Sequence, residues 1–240
     1  MIFKEDFKIR LEDIGKDNYF TNKALLQYLE NIGSDHSTQT GYGILDIERT
    51  RVSWILLDWK VQIFKREKYS KTLHIDTWSR GSKKVYSYRD FEIFDENNEK
   101  IAIASSRWAL INVDTGKLER IEESLTQKYF PEDKAVFEEE DFNKIKEPEE
   151  FSNSCFYTTT RADIDINNHL HNLNYLDLAY EALPQEIYEK EEFNNIRITY
   201  KREIKLGETV ECKYSQIGEE HIVTITSKDN SKVHSIIIFS

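Results

Sequence analysis

Tyr200-Lys201-Arg202-Glu203 lies late in a chain of 240 residues, and Phe64-Lys65-Arg66-Glu67 lies at the corresponding place early in it. Each tetrapeptide closes one alternating apolar stretch and precedes another. Upstream of each is a helical pattern, and the segments leading into the two helices also align. Asp17-Asn18-Tyr19 falls on Asn167-Asn168-His169, and Asn22 falls on Asn172. A four-residue match is weak by itself. Its agreement with the order of the surrounding signals makes the chain read as two copies of one α+β unit, a helix followed by an antiparallel sheet.

The periodicities supply that order. Leu25, Leu26, Tyr28, Leu29 and Ile32 recur at helical spacing, with Thr21 or Asn22 as the N-cap. Leu173, Leu176, Ala179, Tyr180 and Leu183 repeat the pattern within residues 170–183, and Pro184 marks its stop. Two-residue alternation predicts strands over 54–64, 73–79, 86–94 and 101–112 in the first copy. In the second it predicts strands over 196–200, 210–216, 222–227 and 234–239. Asp95-Glu96-Asn97-Asn98 and Asp229-Asn230-Ser231 read as the turns between the last two strands of each copy. A helix with an apolar face buries it by lying across such a sheet, and joining the copies edge to edge would hide strand edges. The boundary falls in the acidic, proline-interrupted segment 132–150, from Glu138-Glu139-Glu140-Asp141 to Glu147-Pro148-Glu149-Glu150, which reads as a linker or an exposed helix. The expected domains are therefore 1–131 and 151–240.

Composition excludes several classes. Hydrophobic residues make up 39% and aromatics 12%, enough to bury a core. The formal net charge of -11 disfavours nonspecific binding to nucleic acid or anionic membrane. No apolar run approaches the length of a membrane span, and Met1-Ile2-Phe3-Lys4-Glu5-Asp6 is charged too early for a secretion signal. Cys155 and Cys212 are the two cysteines, too few for a disulfide framework or a thiolate cluster. A soluble, cytoplasmic protein is the expectation.

Polar chemistry concentrates in Arg161-Ala162-Asp163-Ile164-Asp165-Ile166-Asn167-Asn168-His169-Leu170-His171-Asn172, immediately before the second helix. A helix start offers N–H donors that polarise a carbonyl, and a His and an Asn beside it can orient water while carboxylates set the His tautomer or act as base. The same residue types also build Asx turns and caps. Comparing the copies separates these readings: His169 has Tyr19 as its counterpart and Asp165 has Gly15, so capping needs neither. His169 and His171 form an H-x-H pair with no further ligand at supporting spacing, and no metal is expected. Gly41-Tyr42-Gly43 lacks the rest of a nucleotide signature, and no G-x-S-x-G elbow occurs. Cys212 reads as core. Trp54, Trp59, Trp78 and Trp108 read as packing residues or as the lining of an apolar cavity. Lys65, Arg66 and Lys68, with Lys201, Arg202 and Lys205, are either solvated strand ends or a basic patch for an acidic partner.

At Asp163, Asp165, Asn167, His169 and Asn172 the chain resembles the acyl-acyl-carrier-protein thioesterases of plants and bacteria, whose motif reads approximately D-x-D-x-N-x-H-x-N-N. It departs at His171, where the family usually has Asn. Tyr200-Lys201-Arg202-Glu203 is similar to the family's Y-R-R-E-C. Ile75-Asp76-Thr77-Trp78 and Ala104-Ser105-Ser106-Arg107-Trp108 are similar to its V-D-T-W and A-S-S-x-W. The resemblance implies two tandem hotdog folds and hydrolysis of the thioester between a fatty acyl chain and acyl carrier protein, releasing free fatty acid without a cofactor. It carries catalytic roles to Asp165, Asn167, His169 and Glu203. Ile204 stands where an older view of the family places a nucleophilic Cys, which excludes a Cys-based acyl-enzyme here. The first copy is expected to be catalytically silent and to shape an acyl tunnel, with Trp54 and Trp59 as lining candidates. Lys201, Arg202 and Lys205 are the candidates for contact with the carrier. Plant members begin with a plastid transit peptide, and none is seen here. The alternatives are an acyl-CoA thioesterase, a hotdog dehydratase acting on a hydroxyacyl thioester, and a non-catalytic acyl-binding module. Either a monomer or a homodimer is compatible with two units in one chain.

Overall fold

Leu25, Leu26, Leu29 and Ile32 are fully excluded from water on one face of helix α1 (Asn22–Gln39). Thr21 caps that helix by accepting the Ala24 N–H at 3.1 Å. The structure, a computed structural model, describes residues 1–138, 142–190 and 192–240. The chain divides into two units, Met1–Phe142 and Asn143–Ser240.

In the first unit α1 follows strand β1 (Phe3–Lys8) and precedes a short helix α2 (Ile47–Thr50). The strands β2 (Val52–Ile63), β3 (Thr72–Lys83), β4 (Tyr86–Phe94) and β5 (Lys100–Asn112) come next, followed by helix α3 (Glu123–Lys128). Within the unit the strands pair antiparallel in the order β1-β3-β4-β5-β2. Trp59, Trp78, Phe91, Leu73 and Ile75 are buried with the α1 residues to make the core.

The second unit repeats this with β6 (Asn153–Thr158), α4 (Asn174–Ala182), α5 (Gln185–Lys190), β7 (Asn195–Tyr200), β8 (Thr209–Ile217), β9 (Glu220–Ser227) and β10 (Val233–Phe239). Its order is β6-β8-β9-β10-β7, again antiparallel. Each unit is thus one helix across a five-stranded sheet, the hotdog arrangement. The turns foreseen at 95–98 and 229–231 join β4 to β5 and β9 to β10, with Asn98 and Asn230 at positive φ.

Four differences from the sequence reading have physical causes. β1 and β6 were not foreseen, because Glu5 takes one of the half-buried positions of β1 and Phe156 is exposed on β6, which breaks the apolar alternation in both. The second helix begins at Asn174 and not near Leu170. Residues 164–170 fold back in a bridge between Ile164 and Leu170, and His171 N–H bonds the Asp163 carbonyl. The segment 132–150 is no helix among its described residues. Trp78 Nε1 donates to the Lys134 carbonyl at 2.8 Å, which ties its first part to the first unit, while Ile145 is buried with Ile222, Ile236 and Ile238 of the second. Residues 139–141 of its acidic run lie outside the described residues.

The fourth difference concerns the tetrapeptides. Phe64 and Lys65 N–H both bond the Ile101 carbonyl, and the pair that does the same to His234 is Lys201 and Arg202. Tyr19 bridges Lys68 as His169 bridges Lys205. The structural register therefore sets Arg66, not Glu67, opposite Glu203 in the comparison of units, one residue away from the alignment by identity. Hydrogen bonding follows strand ends, and β2 ends at Ile63 where β7 ends at Tyr200.

Candidate active site

Asp165 organises the loop before α4. Its Oδ1 accepts the Asn167 N–H at 2.8 Å and the His169 N–H at 3.1 Å, and its Oδ2 accepts Asn167 Nδ2 at 3.3 Å. The backbone closes the same loop, with Asp165 N–H on the His169 carbonyl at 2.8 Å and Asn168 at a φ of 61°. The first unit builds this turn differently. There Gly15 takes the place of Asp165, and Asp17 Oδ1 accepts the Tyr19 N–H at 3.0 Å. A Cβ at position 15 would lie 3.0 Å from Asp17 Oδ1, so the carboxylate reaches from position 17 because position 15 is Gly. Moving the carboxylate to position 165 leaves position 167 to an amide.

Glu203 follows β7 and comes back to this loop because Leu170 N–H bonds the Ile204 carbonyl at 2.8 Å. The result is a facing pair: His169 Nε2 lies 3.5 Å from Glu203 Oε1, with the side chains 32% and 54% exposed. Lys205 Nζ lies 3.7 Å from the same oxygen. The sequence candidates Asp165, Asn167, His169 and Glu203 are therefore brought together, and Lys205, expected at a carrier surface, joins them. Lys201 and Arg202 are exposed next to Glu203. Ile204 is fully buried, so its side chain lies in the core and not at the site.

The departure at His171 is explained locally. His171 Nδ1 accepts the Leu173 N–H at 3.3 Å, one residue before α4 begins, whereas Thr21 caps α1 from its N-cap position. The amides of Leu170, His171, Leu173 and Asn174 are each already bonded within the unit. The expectation that free N–H groups at the helix start polarise a carbonyl does not extend to these four. No group of three or more His, Cys, Asp or Glu among the described residues is placed to hold a metal ion.

The tryptophans belong to the first unit. Trp59 is fully buried with its ring 5.4 Å from Phe91, and Trp54 Nε1 donates to Tyr129 Oη at 3.0 Å beside Leu110, Ile121 and Leu125. Sequence reasoning missed Tyr175 and His234, which hold the backbone around Glu203. Tyr175 sits at a helix-core spacing and His234 in a strand, so neither carried a signal of its own.

The acyl-ACP thioesterase N-terminal domain model matches residues 1–129, and the C-terminal domain model matches residues 146–238. The chain belongs to the acyl-ACP thioesterase family. It is 25% identical over 250 residues to oleoyl-acyl carrier protein thioesterase 2 of Arabidopsis thaliana, covering 97% of this chain and 68% of that one. It spans 64–68% of the length of the oleoyl-acyl carrier protein thioesterases it matches and 52–53% of the other plant relatives. Its fold is shared with an acyl-ACP thioesterase from Bacteroides thetaiotaomicron, with a TM-score of 0.88 at 20% identity over 99% of this chain and 96% of that one. The 12:0-ACP thioesterase of Umbellularia californica gives the same TM-score at 18% identity, over 100% of this chain and 96% of that one. Two tandem hotdog units are the family's architecture in this chain.

Proposed function

We propose that this thioesterase-family chain hydrolyses the thioester of fatty acyl groups on acyl carrier protein, and that the second unit carries the chemistry. Water adds to the thioester carbonyl, the C–S bond breaks, and free fatty acid and the carrier thiol are released. One observation supports placing the site here: His169 faces Glu203 across 3.5 Å, while the matching positions of the first unit hold Tyr19 and Arg66. Glu203 or His169, assisted by Asn167, positions and deprotonates the water, and Asp165 holds Asn167 and His169 in place. A carboxylate beside an imidazole lets a proton pass from water to the leaving thiolate within one pair of groups.

The acyl chain requires apolar surface, and each methylene buried contributes about 0.8 kcal/mol. Trp54 and Trp59 remain our candidates for contact with it, and Lys201, Arg202 and Lys205 for contact with the carrier. A cytoplasmic location belongs to the same proposal and is tested by fractionation of cells expressing the chain.

The test is release of free fatty acid from acyl carrier protein thioesters of graded length and saturation, beside the matching CoA thioesters. Turnover of carrier-bound substrates with a length optimum is expected. Turnover of CoA thioesters alone would assign the site to that carrier instead, and acyl binding without hydrolysis would reduce the chain to a binding module.

A further inference from the structure

Three polar side chains tie down the backbone around Glu203. Tyr175 Oη, on α4, donates to the Arg202 carbonyl at 3.3 Å. His234 Nδ1, on β10, donates to the carbonyl of Glu203 itself at 3.0 Å. Tyr200 Oη, at the end of β7, donates to the Asn172 carbonyl at 3.1 Å, and so binds the strand that delivers Glu203 to the segment that follows His169. The two tyrosine rings meet edge to face, 5.2 Å apart at 83°.

The first unit does without all three. Register from Asn22 and Asn172 sets Leu25 opposite Tyr175 in the comparison of units. The ends of β2 and β7 set Ile63 opposite Tyr200, and the shared acceptor role of their carbonyls sets Ile101 opposite His234. Leu25, Ile63 and Ile101 are buried, so packing a helix on this sheet needs only apolar side chains at these places. In that unit the tie is made by Arg66, which donates to the Phe20 carbonyl at 3.1 Å and to Asn22 Oδ1 at 2.7 Å. Glu203 occupies the place of Arg66, and an ionised carboxylate has no proton to donate. The link between strand end and helix start must then come from elsewhere.

We propose that Tyr175, Tyr200 and His234 are positioning residues that replace the arginine tie and hold Glu203 in register with His169. This rests on the reading of Glu203 and His169 as the catalytic pair. Tyr175 and His234 are almost wholly buried, where a hydroxyl or imidazole costs free energy unless it is bonded. Their placement is thus worse for packing than the Leu and Ile of the first unit, and better only for fixing the backbone. Glu203 needs that fixing, because its own side chain is half exposed and has little packing to hold it.

The experiment compares Tyr175→Phe, Tyr200→Phe, His234→Leu and His234→Asn with the parent and with Glu203→Gln. The full chain is assayed on acyl carrier protein thioesters, with melting temperatures alongside. Loss of each hydroxyl or of the imidazole is expected to lower kcat by roughly ten- to a hundredfold with KM little changed. The pH-rate limb that Glu203→Gln abolishes is expected to move. His234→Asn, whose amide N–H stands near the place of Nδ1, is expected to recover most of what His234→Leu loses. Unchanged kcat and pH profile in the three deletion variants, with Glu203→Gln inactive, would overturn the positioning role alone. Full activity of Glu203→Gln would overturn the catalytic reading and this inference with it. Should His234→Leu not fold, Tyr175→Phe, which keeps the ring and removes one oxygen, decides the matter by the same criteria.

Discussion

His169 Nε2 and Glu203 Oε1 stand 3.5 Å apart, and the two groups arrive from segments joined by one backbone hydrogen bond, Leu170 N–H to the Ile204 carbonyl. A pair with this geometry can share a proton during attack of water on a thioester. His169→Ala is expected to lower kcat by roughly 10²–10⁴. Steady-state turnover of an acyl carrier protein thioester measures it, and near-parental turnover would take His169 out of the scheme.

Asp165 permits a sharper experiment, because the first unit shows how the loop is closed without it. Asp165→Gly removes the acceptor of two backbone N–H groups and is expected to cost about 1–2 kcal/mol of stability, read from thermal or urea unfolding, together with most of the activity. Adding Asn167→Asp recreates the Gly15 and Asp17 arrangement. The double variant is expected to regain stability and to stay inactive. Recovery of activity in it would show that Asp165 and Asn167 serve the loop alone.

The first unit carries two buried ionisable groups whose pH effects run in opposite directions. Burial of the Glu30 carboxyl pushes it up to about 8 from an ordinary value of 4.5. The folded state then holds a proton that the unfolded state releases, so stability falls as pH rises from about 4.5 to about 8. His36 is driven down to about 3 from 6.5 by burial and by the Arg89 guanidinium, whose Nη1 lies 3.0 Å from its Nδ1. There the unfolded state takes the proton first, so stability falls as pH drops from about 6.5 to about 3. Glu30→Gln is expected to flatten the alkaline side of a urea-unfolding series while leaving the acid side in place. An unaltered alkaline slope would reject the Glu30 assignment.

Cys155 and Cys212 lie directly opposite each other on β6 and β8, one partly accessible and one fully buried. Hydrogen bonding between the thiols holds Cys155 below its usual range, while the contact with Cys155 and burial push Cys212 up. Iodoacetamide is expected to alkylate Cys155 well ahead of Cys212 in the folded chain. Peptide mapping after brief treatment checks this, and equal labelling of both would contradict it.

Lys205 serves the site as well as the surface around it. Its ammonium lies 3.7 Å from Glu203 Oε1. Lys201→Glu and Arg202→Glu are expected to raise KM for carrier-bound substrate in a salt-dependent way and to leave CoA thioesters little affected. Lys205→Ala is expected to lower kcat on both. A uniform effect of all three on both substrates would remove the distinction.

Much of the site was legible because its residues are dense in one segment and differ from their counterparts in the other copy. Asp165 and His169 stand out against Gly15 and Tyr19 in the sequence itself. Glu203 was harder. Its tetrapeptide aligns by identity on Glu67, so comparison of the copies did not single it out, whereas the hydrogen bonds of the strand ends place Arg66 there. A one-residue shift is invisible to a string match when neighbouring residues repeat, and it decides which side chain turns toward the loop.

The sequence by itself determined the duplicated α+β order, the helix faces, the hairpin turns and the segment where polar chemistry gathers, because each rests on local periodicity and on turn residues acting over a few positions. Only the tertiary structure decided which carboxylate meets His169, that Tyr175, Tyr200 and His234 bond the backbone there, and that β1 and β6 each form an edge strand within their own unit. Those outcomes depend on strand register and on contacts between residues far apart in the chain. No local pattern encodes such a contact, because its energy arises only once packing has brought the partners within hydrogen-bonding reach.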